Sequence, residues 1–522
     1  MIDAPVAPGG GSLRRVIAGV IPVTIVAQLA SFGASLALAH VLGATVATDA
    51  YFLGLSVPLT IYGILLAGVR LGAIPSLTER KVAEPAEFNR VSSEIVTSTA
   101  VAAGLLSALI TLVTVVSLPA AISHGGDELV SMTRTTVVEL APLGVLGALV
   151  GVIGAVLAAW GSFVPAAAVM ALDPVARTIL VLALGSRWGA DALVVGNLAG
   201  SGLAVVVLWV VAERRGVRIR FVRGARTAIV RDVLKLSGPL LIAQSVLQVN
   251  PVIDRSMAAG INSGSVTELE LGLRLFAFPA TLVAAGLIGP LTATWAERKA
   301  RGGLPVLRES LFKAMRALIV VLPPIVVAGM LVKVQSIELL YEGGEFSAAA
   351  LGRTADVFGL FLLGLPATAL TVVLSTLFVV EHDSVFPMKI ALANVVLNVG
   401  LNLLLRGPLG AAGIALSTTL TLTALSVAYI VVPQRRWRMF ELAALRGTLA
   451  RAALATAAAT GLGLLALELA DPATTRLGNL AAVAIVAVIA AAVQAVAFLT
   501  GRDRAAIAAL LPFAPSSRRA HV

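Results

Sequence analysis

Fourteen apolar runs, each about 20 to 28 residues long, succeed one another between residues 16 and 500 with short polar breaks between them. Such lengths suit helices that cross a ~30 Å hydrocarbon core at a rise of 1.5 Å per residue. The runs fall at 16–41, 50–77, 92–118, 132–157, 163–184, 190–212, 232–258, 267–294, 311–335, 353–380, 384–404, 409–432, 447–469 and 477–500. A water-soluble domain carries about a quarter charged residues. Here 13% are charged and 58% hydrophobic, with a mean hydropathy of +0.97, so lipid is the environment this surface requires. A barrel would show ten-residue segments of weak alternation, and none is present. The expected fold class is an all-α polytopic membrane protein of about 14 transmembrane helices.

Loop charge tests that count. With the N-terminus inside, the cytoplasmic side collects Arg14, Arg15, Arg80, Lys81, Arg90, the run "ERRGVRIRFVRGARTAIVRD", Arg298, Lys299, Arg301, Arg308, Arg435, Arg436, Arg438, Arg446, Arg502, Arg504, Arg518 and Arg519. The opposite side holds Arg187, Lys333, Arg353, Arg406 and Arg476. This asymmetry puts both termini in the cytoplasm. The formal charge of +11 then reflects basic loops facing anionic lipid. No zinc-finger spacing or aromatic RNA-binding motif accompanies the arginines, so nucleic acid is not an expected partner. With no cysteine, disulfides and thiolate metal sites are excluded. The start "MIDAPVAPGGGSL" lacks the pattern of a signal peptide, and the first span is expected to be retained.

The chain repeats itself. Asp49 to Lys81, "DAYFLGLSVPLTIYGILLAGVRLGAIPSLTERK", resembles Thr267 to Lys299, "TELELGLRLFAFPATLVAAGLIGPLTATWAERK", at an offset of 218. Pro165 with Gly185 pairs with Pro387 and Gly407 at an offset of 222. An even number of spans separates the copies, so the two sets of six share one orientation, and their interface is the natural substrate path. The expected organisation is a cytoplasmic tail at 1–13, an N-lobe at 14–212, a basic cytoplasmic linker at 213–231, a C-lobe at 232–432, two further helices at 433–505 and a cytoplasmic tail at 506–522. The further helices are rich in Ala, Leu and Val and read as lipid contact or an apolar groove.

A charge near the bilayer centre costs at least ~2.5 kcal/mol on insertion scales, which makes intramembrane polar residues the functional shortlist. Span 7 carries "QSVLQVNPVIDRS", with Asn250 and Asp254 four apart and Arg255 beside them. Asp254 reads as an ion ligand or gate residue, or as an interfacial carboxylate. Glu270 and Arg274, four apart on span 8, either neutralise one another or face a wet cavity, where an arginine fork grips phosphate oxygens. Asp49 lies near the outer end of span 2 and Arg70 toward its inner end. In the middle of span 5, Asp173 and Arg177 are four apart around Pro174, as a compensated pair or a substrate contact. Asn394, Asn398 and Asn402 stripe span 11 at four-residue spacing. Carboxamides glue helices at about 1 kcal/mol each, or offer neutral oxygens to sodium together with Asp254 and a hydroxyl from Thr418 or Thr419. Spacing alone leaves both readings open. No Walker loop, GxSxG or HExxH is present, so no enzyme is expected, and a gradient or membrane potential is the simpler power source.

The run from Tyr341 to Thr419, "YEGGEFSAAALGRTADVFGLFLLGLPATALTVVLSTLFVVEHDSVFPMKIALANVVLNVGLNLLLRGPLGAAGIALSTT", resembles the second half of the MurJ/MviN lipid II flippases of the MOP transporter superfamily. Carrying the resemblance are Gly344 and Phe346, Gly364 to Pro366, Asp383 and Pro387, Asn394 with Asn398, and Gly410 with Gly413. "LGLRLFAFP" is similar to the family's Arg-Leu-x-x-x-Pro on the eighth helix. The resemblance covers about residues 14–505 and is strongest from 240 to 430.

That resemblance implies two MATE-like lobes, alternating access and movement of a polyprenyl-diphosphate-linked saccharide to the outer leaflet of a bacterial cytoplasmic membrane. It implies a cationic cavity, a lipid-tail groove on the last two helices and a sodium site in the second lobe, with no tightly bound cofactor. On this chain Arg274 matches the cavity arginine, while Asp254, Asn394 and Asn398 match ion ligands, with Thr418 added. Asp49 and Arg255 are the gate candidates. The cavity candidates are Arg274, Glu270, Arg70, Arg177, Asp173, Gln28 and Tyr62. The last two stand where the family has arginines: "PNxxRxLxAEG" is here "PLTIYGILLAG", and Gln28 falls at an arginine of the first helix. A diphosphate entering lipid needs cationic partners, so either Arg70, Arg177 and Arg274 rebuild the site or the substrate differs. The alternatives are a cation-coupled exporter of amphiphilic small molecules and a transport-inactive envelope scaffold. A monomer surrounded by membrane lipids is expected, with cell-envelope synthesis proteins as candidate partners.

Overall fold

The computed structural model describes residues 10–83, 85–122, 125–162, 164–222, 248–381, 383, 385–440, 442–470 and 475–499. Within helices, chiefly at 10–21, 64–76, 282–294 and 296–302, the description is of the backbone only. Its helices are α1 (Gly10–Leu42), α2 (Val46–Ala83), α3 (Phe88–Ala121), α4 (Gly126–Ala159), α5 (Val164–Ala168), α6 (Leu172–Trp188), α7 (Asp191–Arg214), α8 (248–258) and α9 (Ser265–Leu331). There follow α10 (Lys333–Tyr341), α11 (Ala348–Leu363), α12 (Leu365–Val380), α13 (Val385–Leu409), α14 (Ala411–Trp437), α15 (Leu442–Ala470) and α16 (Arg476–Leu499). Among the described residues 11 helical stretches are long and apolar enough to cross a membrane. The other three expected spans, 50–77, 232–258 and 267–294, fall wholly or partly on residues whose side chains lie outside that description.

Two compact units account for the chain: Met1–Glu270 with Gly343–Ser347, and Leu271–Glu342 with Ala348–Val522. In the first, α4 is largely buried, its Val152, Ile153, Val156 and Leu157 packing with Phe88, Val91 and Ile95 of α3 and Leu208 and Ala212 of α7. The outer face of α3 is apolar and open at Leu105, Leu112 and Val116, as a lipid-facing helix must be. The α6–α7 pair comes close because Gly196 and Gly200 of α7 lie directly on the backbone of Arg177 and Asp173, a small-xxx-small contact.

Two expected spans are broken helices and two others are joined in one long helix, each for a local reason. Residues 163–184 divide into α5, a 3₁₀ turn at Val169–Ala171 and α6. Pro174 has no N–H to give back to the preceding turn, and it sits in the first turn of α6, where none is needed. Asp173 and Arg177 therefore start a helix instead of lying inside one. Residues 353–380 divide at Gly364, whose N–H bonds to Phe361 O at 2.9 Å in place of the Leu360 carbonyl. The Thr419 hydroxyl of α14 donates to that freed Leu360 carbonyl at 2.7 Å, so the break leaves no orphan in the membrane. Drawn straight, the 67 residues of α9 would run about 100 Å, three times the hydrocarbon thickness. Gly303, at φ 67°, ends the helical geometry inside it and separates the segments expected at 267–294 and 311–335.

The basic stretch after α7 is held down. Asn89, Ser93 and Thr97, four apart along α3, receive the N–H groups of Arg218, Arg220 and Val222 at 3.1, 3.0 and 3.2 Å. Ordinary helix spacing thus pins the segment that follows α7 without a sheet.

Candidate functional site

In the first unit a buried carboxylate sits on a foreign helix end. Asp49, in the first turn of α2, is 1% exposed. Its oxygens accept from the Gly264 N–H at 2.8 Å, the Thr267 N–H at 2.8 Å and the Thr267 hydroxyl at 2.7 Å. The first-turn N–H groups of α9 have no intrahelical acceptor, and the helix dipole favours an anion there. Asp49 supplies both needs from another helix. Thr48 adds a hydroxyl contact to Thr267 at 3.0 Å while it also closes the turn onto the Gly43 carbonyl. Asp49 and Thr267 are equivalent positions of the sequence repeat, 218 apart.

Further along the same helices lies a second tie. The Arg255 guanidinium donates through Nε and Nη2 to one oxygen of Glu270 at 3.1 and 2.9 Å, and through Nη1 to Ser56 Oγ at 3.1 Å. Ser56 passes its own proton to the Phe52 carbonyl. Glu270 is 7% exposed, so its charge is compensated within the protein. Four-residue spacing offers Arg274 as a partner of Glu270; the fold adds Arg255 from α8.

Behind these lies an ion pair at the start of α6: Arg177 Nη2 stands 3.1 Å from Asp173, and Arg177 is 7% exposed. Arg177 also bonds the Tyr51 hydroxyl, which takes a further hydrogen bond from Asn197 Nδ2. Asp173 and Asn197 line an open cleft of about 140 Å³ with Tyr62, Leu59, Met170 and Ser201. Tyr62 packs against Gly147 of α4, with its hydroxyl 3.7 Å from Met170 Sδ. Gln28 is exposed on α1, and the side chain of Arg70 lies outside the described residues.

In the second unit the asparagine stripe forms a ladder between α13 and α14. Asn402 donates to Asn398 Oδ1 at 3.1 Å, Asn398 donates to Thr418 Oγ1 at 3.2 Å, and the Ser417 hydroxyl donates to Asn402. Asn398 and Asn402 are buried at 1% and 0% exposure, whereas Asn394 is half-buried. Arg274, half-buried on α9, has its charge near the buried Tyr341 hydroxyl at the end of α10. Asp254 is half-buried on α8. Among the described residues no three His, Asp or Glu side chains converge as a metal site would require. Sequence reading gave no site role to Ser56, Thr267, Tyr51, Asn197 or Ser417; Thr267 had a signal as the repeat partner of Asp49, and Tyr51 as the aromatic of the Asp49-Ala50-Tyr51 turn.

A many-spanned helical chain of this build can be placed by its fold. It superposes on an inward-facing multidrug resistance MATE family transporter of the MOP superfamily with a TM-score of 0.65 at 14% identity, over 78% of this chain and 94% of that one. The fold is therefore MOP/MATE-like. A structure described as lipid II flippase MurJ in an inward closed conformation superposes with a TM-score of 0.76 at 16% identity, over 92% of this chain and 98% of that one. The family model for lipid II flippase MurJ matches residues 38–500. The chain belongs to the MurJ family.

Among its relatives, a probable lipid II flippase MurJ of Rhizobium meliloti is 28% identical over 245 residues, 45% of this chain and 46% of the relative. One from Helicobacter pylori is 30% identical over 183 residues, 35% of this chain and 40% of the relative. These alignments span less than half the length of the relatives they match. Such kinship makes this a multi-pass bacterial membrane protein.

Proposed function

We propose that the chain moves a polyprenyl-diphosphate-linked saccharide, similar to lipid II, from the cytoplasmic to the outer leaflet by alternating access. In this reading two like-oriented six-helix lobes, 14–212 and 232–432, enclose the substrate path, and both termini are cytoplasmic. The last two helices, within 433–505, guide the lipid tail. Arg274, with Arg70 and Arg177, supplies the cationic partners for the diphosphate. Sodium at Asp254, Asn394, Asn398 and Thr418, or the membrane potential, biases the return step.

The observation that carries this reading is the double tie at the ends of α2, α8 and α9. Asp49 caps the amides of Gly264 and Thr267, and Arg255 bridges Glu270 and Ser56. A closure made of an ion pair and hydrogen bonds between helix ends can open without unpacking an apolar core, which is what a gate requires. The substrate class follows the flippase relatives by kinship.

The chain has no cysteine, so an engineered pair reports alone. Thr48 and Thr267 hold their hydroxyl oxygens 3.0 Å apart. In proteoliposomes, a Thr48→Cys/Thr267→Cys variant is expected to stop flipping of a labelled polyprenyl-diphosphate saccharide when oxidised and to recover on reduction. Undiminished flipping with the bridge formed would refute gating at this tie.

One observation favours a second reading, export of amphiphilic small molecules: the cleft beside Tyr62 is mostly apolar and holds the carboxylate of Asp173, already balanced by Arg177. Saturable transport of a cationic amphiphile, with no movement of the diphosphate lipid, would select it.

A further inference from the structure

The start of α13 and the arginine-bearing end of α14 enclose a recess of about 230 Å³ lined by Val385, Phe386, Lys389, Val432, Arg435 and Arg436. Its chemistry is divided. Phe386 is buried and stacked on Phe378, with Tyr429 edge-on, so the floor is a rigid aromatic cluster. Lys389, Arg435 and Arg436 form the rim. Asp383 engages Arg436 at 2.7 Å and also accepts from the N–H groups of Val385 and Phe386. The Phe386 N–H and Arg436 hold the Asp383 carboxyl below the usual carboxylate range. Among the described residues, no carboxylate faces Lys389 or Arg435, so the rim keeps an excess of positive charge.

An apolar track starts at this rim. Val385, Met388, Leu392, Val396 and Leu403 of α13 are 54% to 65% exposed and recur at intervals of three, four and seven, which puts them on one narrow face. Asn394, Asn398 and Asn402 occupy the opposite face. Antiparallel α14 adds Leu420, Val427 and Val431, exposed at 42%, 52% and 38% on one face of its own. Cations at the foot of an apolar helix face match a molecule with an anionic head and a long hydrocarbon tail. Arginine density marks the cytoplasmic leaflet, where anionic lipids concentrate.

We propose that the recess between α13 and α14 binds the phosphate of an anionic phospholipid through Lys389, Arg435 and Arg436, with an acyl chain lying along Met388, Leu392 and Val396. Arg436 is shared with Asp383; Lys389 and Arg435 supply the uncompensated charge. The site is independent of the transported substrate, so it stands or falls apart from the flippase reading.

The test is native mass spectrometry of the purified full-length chain with phosphatidylglycerol or phosphatidylcholine of identical acyl chains. Wild type is expected to retain phosphatidylglycerol at least ~5-fold more than phosphatidylcholine. Lys389→Ala/Arg435→Ala should erase that preference, and Lys389→Arg should keep it. Both altered residues are exposed, and an unchanged melting temperature confirms that the variant is folded. Leu392→Trp, which fills the track but spares the rim, should lower retention of both lipids. Equal phosphatidylglycerol retention by wild type and the alanine variant would overturn the site. Full displacement by inorganic phosphate at the lipid's own concentration would overturn the lipid assignment in favour of free phosphate.

Discussion

Asp49 is a buried charge whose worth depends on donors far along the chain. Removing it leaves the Gly264 and Thr267 amides without their acceptor in a dry contact, at about 1–3 kcal/mol. Asp49→Ala is expected to lower the melting temperature in detergent and to loosen the α2–α9 tie, seen as faster amide exchange at Gly264 and Thr267. Unchanged exchange would mean that water or another group caps α9 equally well. Arg255 is subject to a sharper comparison. Arg255→Ala takes the Arg255 charge away from the buried carboxylate of Glu270, whereas Arg255→Ala with Glu270→Gln removes both charges. The double variant should be more stable than the single one; the reverse order would show that Glu270 is compensated elsewhere. The four-residue spacing of Glu270 and Arg274 identified both as charged residues of one helix. It carried no information about Arg255, because the turn between α8 and α9 decides which of their side chains meet.

Helices in this protein are joined by polar ladders and small-residue contacts, as expected where lipid offers no hydrophobic drive between them. Spacing in the sequence left the asparagine stripe open between glue and ion site. In the fold Asn398 and Asn402 bond Thr418 and Ser417 across α13 and α14, and Asn402 lies outside the proposed sodium ligands. Asn402→Ala should therefore cost about 1 kcal/mol by unfolding in detergent, and it should do so equally in sodium and in choline chloride. Stabilisation that depends on sodium at this position would move the ladder into the ion site. The α6–α7 contact makes a harsher demand. A side chain at Gly200 would collide with the backbone of Asp173, so Gly200→Leu should part the helices and break the Asp173–Arg177–Tyr51 arrangement, visible as a loss of folded protein. The breaks at Pro174, Gly364 and Gly303 were legible only in part. Proline and glycine mark weak points, but whether a helix breaks depends on a partner for the freed carbonyl, such as Thr419 for Leu360.

At the scale of the molecule, the proposed orientation gives a direct prediction. In right-side-out vesicles, single cysteines introduced at Arg301 or Arg436 should resist a membrane-impermeant maleimide until the membrane is opened, while one at Arg406 should react at once. Labelling of all three from outside would reverse the loop assignment. A chain of this hydropathy, taken alone, determines that it lives in lipid, roughly where it crosses, and which end of each crossing is basic, because those properties are sums over about twenty neighbouring residues. The repeat at an offset of 218 was likewise readable, since duplication leaves its trace in order. Only the tertiary structure decided which polar groups meet: Asp49 with amides 215 and 218 residues away, Ser56 with Arg255 at 199, and Tyr51 with Asn197 at 146. A hydrogen bond is selected by distance and angle within a few tenths of an ångström. Packing supplies such placement; spacing along the chain does not encode it.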